Sequence, residues 1–329
     1  MWQMVGHHRA ILLLQRSIET QRISHAYLFS GPRQIGKYTL ALQLAKALNC
    51  QEADRPCGRC RSCRKIDKGI HPDVQAIYLE EGSKNIGIDA VRKLQEGVAL
   101  KPAEGYAKVY IFRDAERLSE PAANALLKTL EEPPRSVVLV LTTADASMLL
   151  PTIVSRCQQL ELRPVATAEI EQALGERAVP PEQAKLLATL ARGRVGWALE
   201  TASHPARLEK RKELFCRLAT LPTADRVSRF AFAAEVATLH GRDPEAARGI
   251  LESWQSWWRD LLLKRLGLDE LVVNVDHQEQ LGAQSSGYSV ETLSRMVGTI
   301  QGTISMLSQN VNARLSLETL MLSVPRGGR

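Results

Sequence analysis

The amino-acid sequence predicts an α/β domain built around a phosphate loop and carrying an inserted metal module, followed by a small helical domain and then a larger all-helical one. Three observations carry this expectation. Over the first half, short β-branched or aromatic runs alternate with helical patterns, the rhythm of a mostly parallel sheet covered by helices. The segment Gly31-Pro32-Arg33-Gln34-Ile35-Gly36-Lys37 stands between the first such run and a helix, the context that makes a phosphate loop more than a string match. After Pro164 the strand signals stop and only helical patterns follow. With 329 residues the chain exceeds the size at which one hydrophobic core keeps growing, so several domains are expected.

Taken in order, five strands are expected: Ala26 to Phe29, Val74 to Tyr78, Lys108 to Phe112, Val137 to Thr142, and a short one near Leu160 to Leu162. Between them Leu40, Leu44 and Leu48 with Ala41 and Ala45 form one apolar helix face, and Leu126, Leu127 and Leu130 form another that Pro133-Pro134 stops. Three short helical patterns come next, separated at Pro180-Pro181 and at Gly193. From about His204-Pro205 the helices lengthen and include Trp254, Trp257, Trp258 and Leu261 at helical spacing, which reads as core. The domains are therefore set at residues 1–163, 164–204 and 205–329, with a loop over Gly282 to Gly287 and a frayed tail over Pro325 to Arg329.

Composition narrows the class. Hydrophobic residues make up 44% and charged residues 24%, which argues against disorder over most of the length. No apolar run approaches the roughly 20 residues of a membrane helix, and the N-terminus lacks a signal-peptide pattern, so a cytoplasmic protein is expected. The net charge of +7 favours an acidic partner such as nucleic acid but locates no site.

In the phosphate loop, backbone N–H groups and the following helix N-terminus would face a phosphate, with Lys37 adding a point charge. The residue after that lysine should be Ser or Thr, whose hydroxyl binds Mg²⁺, and here it is Tyr38. An acidic pair should end the strand Val109-Tyr110-Ile111-Phe112, and here Arg113-Asp114 follows. A guanidinium cannot ligate a metal, and Asp114 could orient water only if a metal were held. Hydrolysis at this site is therefore not expected, while nucleotide binding is left open.

Cys57, Cys60 and Cys63 at two-residue intervals, preceded by Cys50, place four thiols on about fourteen residues, with Pro56 and Gly58 to turn the chain. In a chain expected to stay in a reducing compartment, such spacing points to tetrahedral Zn²⁺ rather than to disulfides. Four protein ligands leave no open position, so the ion would be structural. His71 is an alternative fourth ligand, and Cys157 and Cys216 stand apart.

Further pieces match one family. They are His25-Ala26-Tyr27-Leu28-Phe29-Ser30-Gly31-Pro32, Ala125-Leu126-Leu127-Lys128-Thr129-Leu130-Glu131-Glu132-Pro133-Pro134, Ser155-Arg156-Cys157, and Asn310-Val311-Asn312-Ala313-Arg314-Leu315-Ser316-Leu317-Glu318. With the loop and the cysteine module they span the chain, which resembles the clamp-loader branch of AAA+ proteins in bacterial DNA polymerase III. The last piece points within that branch to a non-motor subunit. The resemblance implies an AAA+ P-loop domain with its zinc module near 50–63, a three-helix lid and an all-helical collar. It also implies a pentameric ring, shared with tau or gamma motor subunits and delta, that opens a sliding clamp and places it on primed DNA.

By position, Arg156 would be the arginine that completes a neighbour's ATP site. Thr142 or Thr143 falls at sensor 1, and Gly196 stands where active subunits carry the sensor 2 arginine, with Arg194 two positions earlier. The degenerate nucleotide site is thus Gly31, Gly36, Lys37, Tyr38, Arg113, Asp114 and Thr142. Two rivals to the non-catalytic reading are an active clamp-loader motor ATPase and a zinc-containing nucleic-acid-binding AAA+ relic. Lys84, Arg92, Lys93 and Lys101 are candidates for phosphate contacts with DNA. Arg207, Lys210, Arg211 and Lys212 read as a solvated helix face, and His7, His8, His204, His240 and His277 as structural or exposed.

Overall fold

The structure is a computed structural model that describes residues 2–80, 82–83, 85–307, 309 and 311–326. The chain divides into two compact units, Met1–Pro180 with Ala191–Leu199, and Pro181–Leu190 with Glu200–Arg329. Through the first unit run α1 (His8–Glu19), β1 (Ala26–Ser30), α2 (Lys37–Asn49), α3 (Arg61–Asp67), β2 (Val74–Ile77), α4 (Ile88–Val98), β3 (Lys108–Phe112), α5 (Glu120–Glu131), β4 (Val137–Thr143), α6 (Pro151–Val154), β5 (Gln158–Glu161) and α7 (Thr167–Gly175). Next come α8 (Pro181–Ala191), almost all of it in the second unit, and α9 (Val195–Ser203), which begins in the first.

All five expected strands form, with ends shifted by no more than two residues. They pair in parallel in the order β2-β3-β4-β1-β5, with Tyr27 beside Val140 and Val109 beside Val138. Period-two alternation divides the central strands β1, β3 and β4 between two apolar layers. Tyr27, Phe29, Val109, Ile111, Val138 and Val140 pack with Leu14 of α1 and Leu40 and Leu44 of α2. On the opposite face Leu28, Phe112, Leu139 and Leu141 pack with Val91 and Leu94 of α4 and Leu126 and Leu130 of α5. Such burial on both faces explains why the strands read as near-continuous hydrophobic runs. Because β1 lies between β4 and β5 while the chain next returns to a strand beyond β4, the strand order reverses at β1, where a ligand crevice is expected. The phosphate loop leaves β1 at that carboxyl end.

The second unit holds α10 (Ala206–Thr220), α11 (Arg226–Arg242), α12 (Pro244–Arg265), α13 (Gln278–Ser285), α14 (Val290–Leu307) and α15 (Ala313–Ser323). Trp254, Trp257 and Trp258 of α12 are wholly buried, with Trp254 and Trp258 edge to face at 6.5 Å between ring centroids. Buried Arg229 of α11 donates to Leu221 O and Pro222 O beyond α10 and to Met321 O and Val324 O near the end of α15, at 2.9, 2.8, 3.3 and 2.9 Å. It thus satisfies carbonyls that helix ends leave without an intrahelical partner.

Two expectations change here. The loop expected over Gly282 to Gly287 is helical as far as Ser285, because Leu281 is drawn into the core and carries the segment with it. Arg211 is no solvated residue: its side chain is largely buried, ion-paired with Asp276 and 4.3 Å from the Phe215 ring centroid. Arg207 and Lys212, by contrast, make exposed pairs with Glu200 and Glu209. Of the expected tail, residues 327–329 lie outside the described residues. Among the described residues no helix is long and apolar enough to cross a membrane.

Candidate nucleotide and metal sites

The phosphate loop is built by close approach. At Gly31, φ is 142° and an added Cβ would lie 2.3 Å from Leu162 O, so only glycine lets the chain leave β1 past β5. Gly36, with φ 113°, caps α2. Lys37 is buried, and its ammonium turns back to donate to Gly31 O at 2.6 Å and Pro32 O at 2.9 Å. Burial lowers its pKa to about 8, against the opposing attraction of Asp114 and Glu116.

Tyr38 and Arg113, at the two positions where metal-handling groups are expected, meet each other. Arg113, just past β3, holds its guanidinium carbon 4.6 Å from the centroid of the Tyr38 ring. Asp114 takes a left-handed φ of 53°, and its N–H donates to Thr142 Oγ1 at 3.2 Å. That same hydroxyl donates to Phe112 O at 3.2 Å, so it ties the ends of β3 and β4 together.

Gly196 of α9 packs on the loop. Its N–H donates to Gln34 O at 2.7 Å, and an added Cβ would lie 2.8 Å from that same oxygen. Glycine is required here by contact with the loop backbone. Arg194 donates to Ala191 O at 3.0 Å and lies 5.9 Å from the Trp197 ring centroid. His7, read from the sequence as structural, also touches the loop through Nε2, 2.9 Å from Ile35 O. Neither contact could be found by spacing, because both partners are far away in the chain.

Arg156 follows α6 and is partly exposed. Its two terminal nitrogens donate to Thr152 O at 3.0 Å and to Glu131 Oε1 at 2.7 Å. Glu131, at the end of α5, therefore contacts the arginine although nothing in the sequence separates it from Glu132. Cys157 is half-buried, and desolvation raises its thiol to about 11. Of the candidate DNA contacts, Arg92 pairs with Asp89 at 3.2 Å, Lys93 and Lys101 are exposed, and Lys84 lies outside the described residues.

Cys50 ends α2 and Cys60 caps α3, bringing two elements to one point. The Sγ atoms of Cys50, Cys57, Cys60 and Cys63 all lie within 4.8 Å of one another. A tetrahedron with zinc–sulfur bonds of about 2.3 Å separates its sulfurs by about 3.8 Å; Cys50–Cys60 and Cys57–Cys63 are each 4.0 Å apart. The cluster can hold a metal ion. Two N–H donors already aim at sulfur, Cys60 N to Cys57 Sγ at 3.2 Å and Cys63 N to Cys60 Sγ at 3.4 Å. Burial opposes ionisation of Cys57, yet backbone donors from Cys60 and Arg59 outweigh it and hold the thiol near 6, while burial pushes Cys63 up to about 12. His71 is not in the cluster: Nε2 lies 3.1 Å from Ser62 Oγ and Nδ1 accepts from Asp73 N at 3.1 Å.

Buried Asp73 and Asn49 then fasten the loop before β3. Asp73 accepts from Ala103, Glu104 and Gly105 N at 2.7, 2.8 and 2.7 Å, and Asn49 Oδ1 from Tyr106 and Ala107 N at 2.8 and 3.0 Å. The three amide bonds hold the Asp73 carboxyl below its usual range in spite of burial.

A family profile described as DNA polymerase III, delta subunit, matches residues 6–166. Subunit delta prime of Bacillus subtilis DNA polymerase III is 30% identical over 337 residues, covering 97% of this chain and 96% of that protein. The delta prime subunit of Pseudomonas aeruginosa is 44% identical over 170 residues, about half of each chain (51% and 51%). Subunit tau of Escherichia coli is 39% identical over 203 residues, 59% of this chain and 31% of that protein.

Proposed function

Because the chain belongs to the delta prime family of DNA polymerase III subunits, we propose that it is a non-catalytic clamp-loader subunit that helps load the sliding clamp onto primed DNA. Its partners in this reading are the tau or gamma motor subunits, delta, the clamp and the DNA. Its organisation is an AAA+ domain over 1–163, a lid over 164–204 and a collar over 205–329. The contact between Tyr38 and Arg113 carries the non-catalytic assignment. Where a working site needs a hydroxyl and a carboxylate toward Mg²⁺, this chain offers a phenol ring and a cation resting on each other. Lys37, engaged with its own loop carbonyls, and Gly196, seated on Gln34 O, support the same reading.

Arg156 then supplies the chain's catalytic contribution, in trans. As the γ-phosphoryl group of ATP on a neighbour departs, charge develops on its oxygens, and a positioned guanidinium stabilises it by roughly 10³–10⁵ in rate in well-studied cases. Its partial exposure and its tether to Thr152 O and Glu131 hold the group at the surface. Zinc on Cys50, Cys57, Cys60 and Cys63 would be structural, fixing the loop between α2 and α3.

The test is a complex reconstituted with motor subunits, delta, clamp and primed DNA. Arg156→Ala is expected to assemble normally yet slow clamp loading, with total ATPase falling only in part because other interfaces keep their own arginines. Arg156→Lys rescues poorly, since it lacks the planar fork. Wild-type loading by an assembled Arg156→Ala complex would remove the trans role. ATP turnover by the isolated chain that disappears in Lys37→Ala would replace the reading with the motor ATPase.

A further inference from the structure

The surface of α3 carries charge that the clamp-loader reading does not use. Arg61, Arg64, Lys65 and Lys68 recur at i, i+3, i+4 and i+7, one face of a helix. Ser62, Cys63 and Ile66 face inward and are buried. The stripe covers about 10 Å at 1.5 Å per residue. Neighbouring carboxylates are already committed, Asp67 to Lys46 and Glu104 to Lys65. No ion pair links Arg61, Arg64 or Lys68 to a carboxylate among the described residues.

An exposed aromatic residue lies on the loop that the stripe's Lys65 contacts. The Lys65–Glu104 pair ties the loop before β3 to α3, and two residues further on Tyr106 is 65% exposed. That loop is pinned by Asp73 and Asn49, so the backbone of Tyr106 is held in place. The guanidinium of Arg55 lies 5.6 Å from the Tyr106 ring centroid. Cations at helical spacing, with an exposed ring on a backbone-anchored loop tied to the same helix, are the parts with which proteins hold a single nucleic-acid strand: charge follows the phosphates and the ring stacks on a base.

We infer that this face of the cysteine module binds single-stranded nucleic acid, with Arg61, Arg64 and Lys68 on phosphates and Tyr106 against a base. The inference does not rest on the clamp-loader reading, because it is tested on the isolated full-length chain. The probe is a fluorescein-labelled oligothymidylate of about twenty nucleotides, followed by anisotropy from low to moderate salt. A triple Arg61→Gln, Arg64→Gln, Lys68→Gln variant is expected to bind at least about 10-fold more weakly. Its log–log salt slope should flatten by about 2, since each phosphate contact on a single strand contributes about 0.7. Tyr106→Ala is expected to lose about 5-fold or more with the slope unchanged, because stacking releases no counterions.

Lysine acetylation of the wild-type chain gives a measurement that needs no variant: Lys68 should be protected by the oligonucleotide. Absence of binding by the wild type at low salt overturns the inference, as does full reactivity of Lys68 in the bound state. Preference for duplex together with a silent Tyr106→Ala overturns the single-strand assignment. Unchanged affinity in the triple variant, accompanied by weaker zinc retention, would mean that the cations only balance the thiolate cluster.

Discussion

The phosphate loop and the cysteine cluster flank the same helix, α2, and both gather polar groups within a short stretch of chain, yet their groups face in opposite senses. Around the loop the protein itself answers Lys37 with Gly31 O and Pro32 O, Gln34 O with Gly196 N, and Arg113 with the Tyr38 ring. At the other end of α2, four sulfurs converge on one point, with two backbone N–H donors and weak 4.0 Å contacts between thiols among them. Four thiols cannot satisfy one another as they would a cation, because each is a weak donor and, once ionised, repels the rest. The first arrangement is stable as it stands; the second gains most from an ion. In the proposed reading, motif and function have parted at one end of the helix and stayed together at the other.

The largest expected effect lies at the cysteines. Purified without chelator, the chain should carry about one zinc, whose binding can be worth roughly 10–16 kcal/mol in small modules. Cys60→Ser should release it, with proteolysis then cutting between residues 50 and 67 while the sheet stays folded, since the β1–β5 layers have their own cores. Elemental analysis that finds no zinc in the wild type would break the comparison at its stronger end.

Lys37 comes next. Its folded pKa, about 8, lies below the ordinary value of 10.5. Between these values the unfolded chain binds more protons than the folded one, so stability rises with pH across that window as the cost of burying the charge is relieved. Relative to Lys37→Met, the wild type should therefore gain stability from about pH 8 to 10.5, by roughly 3 kcal/mol at most at 1.36 kcal/mol per unit. Parallel urea midpoints for the two proteins would mean that the ammonium is not held in the loop.

Gly196→Arg, which installs the residue that the resemblance implies for active subunits, should destabilise by about 2 kcal/mol. The reason is that its Cβ would meet Gln34 O at 2.8 Å. A neutral or stabilising result in thermal melts would show that the loop can yield to a side chain. The smallest effect is the coupling between Tyr38 and Arg113, about 1 kcal/mol in a double-mutant cycle with Tyr38→Leu and Arg113→Gln. Zero coupling would separate two departures that the structure joins.

Much of this was legible in the chain. Strand alternation depends on local hydrophobic pattern, so Ala26–Ser30 and Lys108–Phe112 could be read almost to the residue. The cysteine set could be read because its four members fall within about fourteen residues of chain, from the end of α2 to the start of α3. The departures at Tyr38 and Arg113 were legible as chemistry, since a guanidinium cannot ligate Mg²⁺ and a phenol is a poor, bulky substitute for the small hydroxyl. Other features were decided only when distant segments met. Gly196 faces Gln34 across more than 160 residues of chain, Glu131 reaches Arg156 across β4 and α6, and Arg211 is buried where Asp276 arrives from the short 3-10 turn before α13. Such contacts leave no periodic trace in sequence: a side chain's partner is set by how elements pack, and packing is a property of the whole core rather than of any window along it.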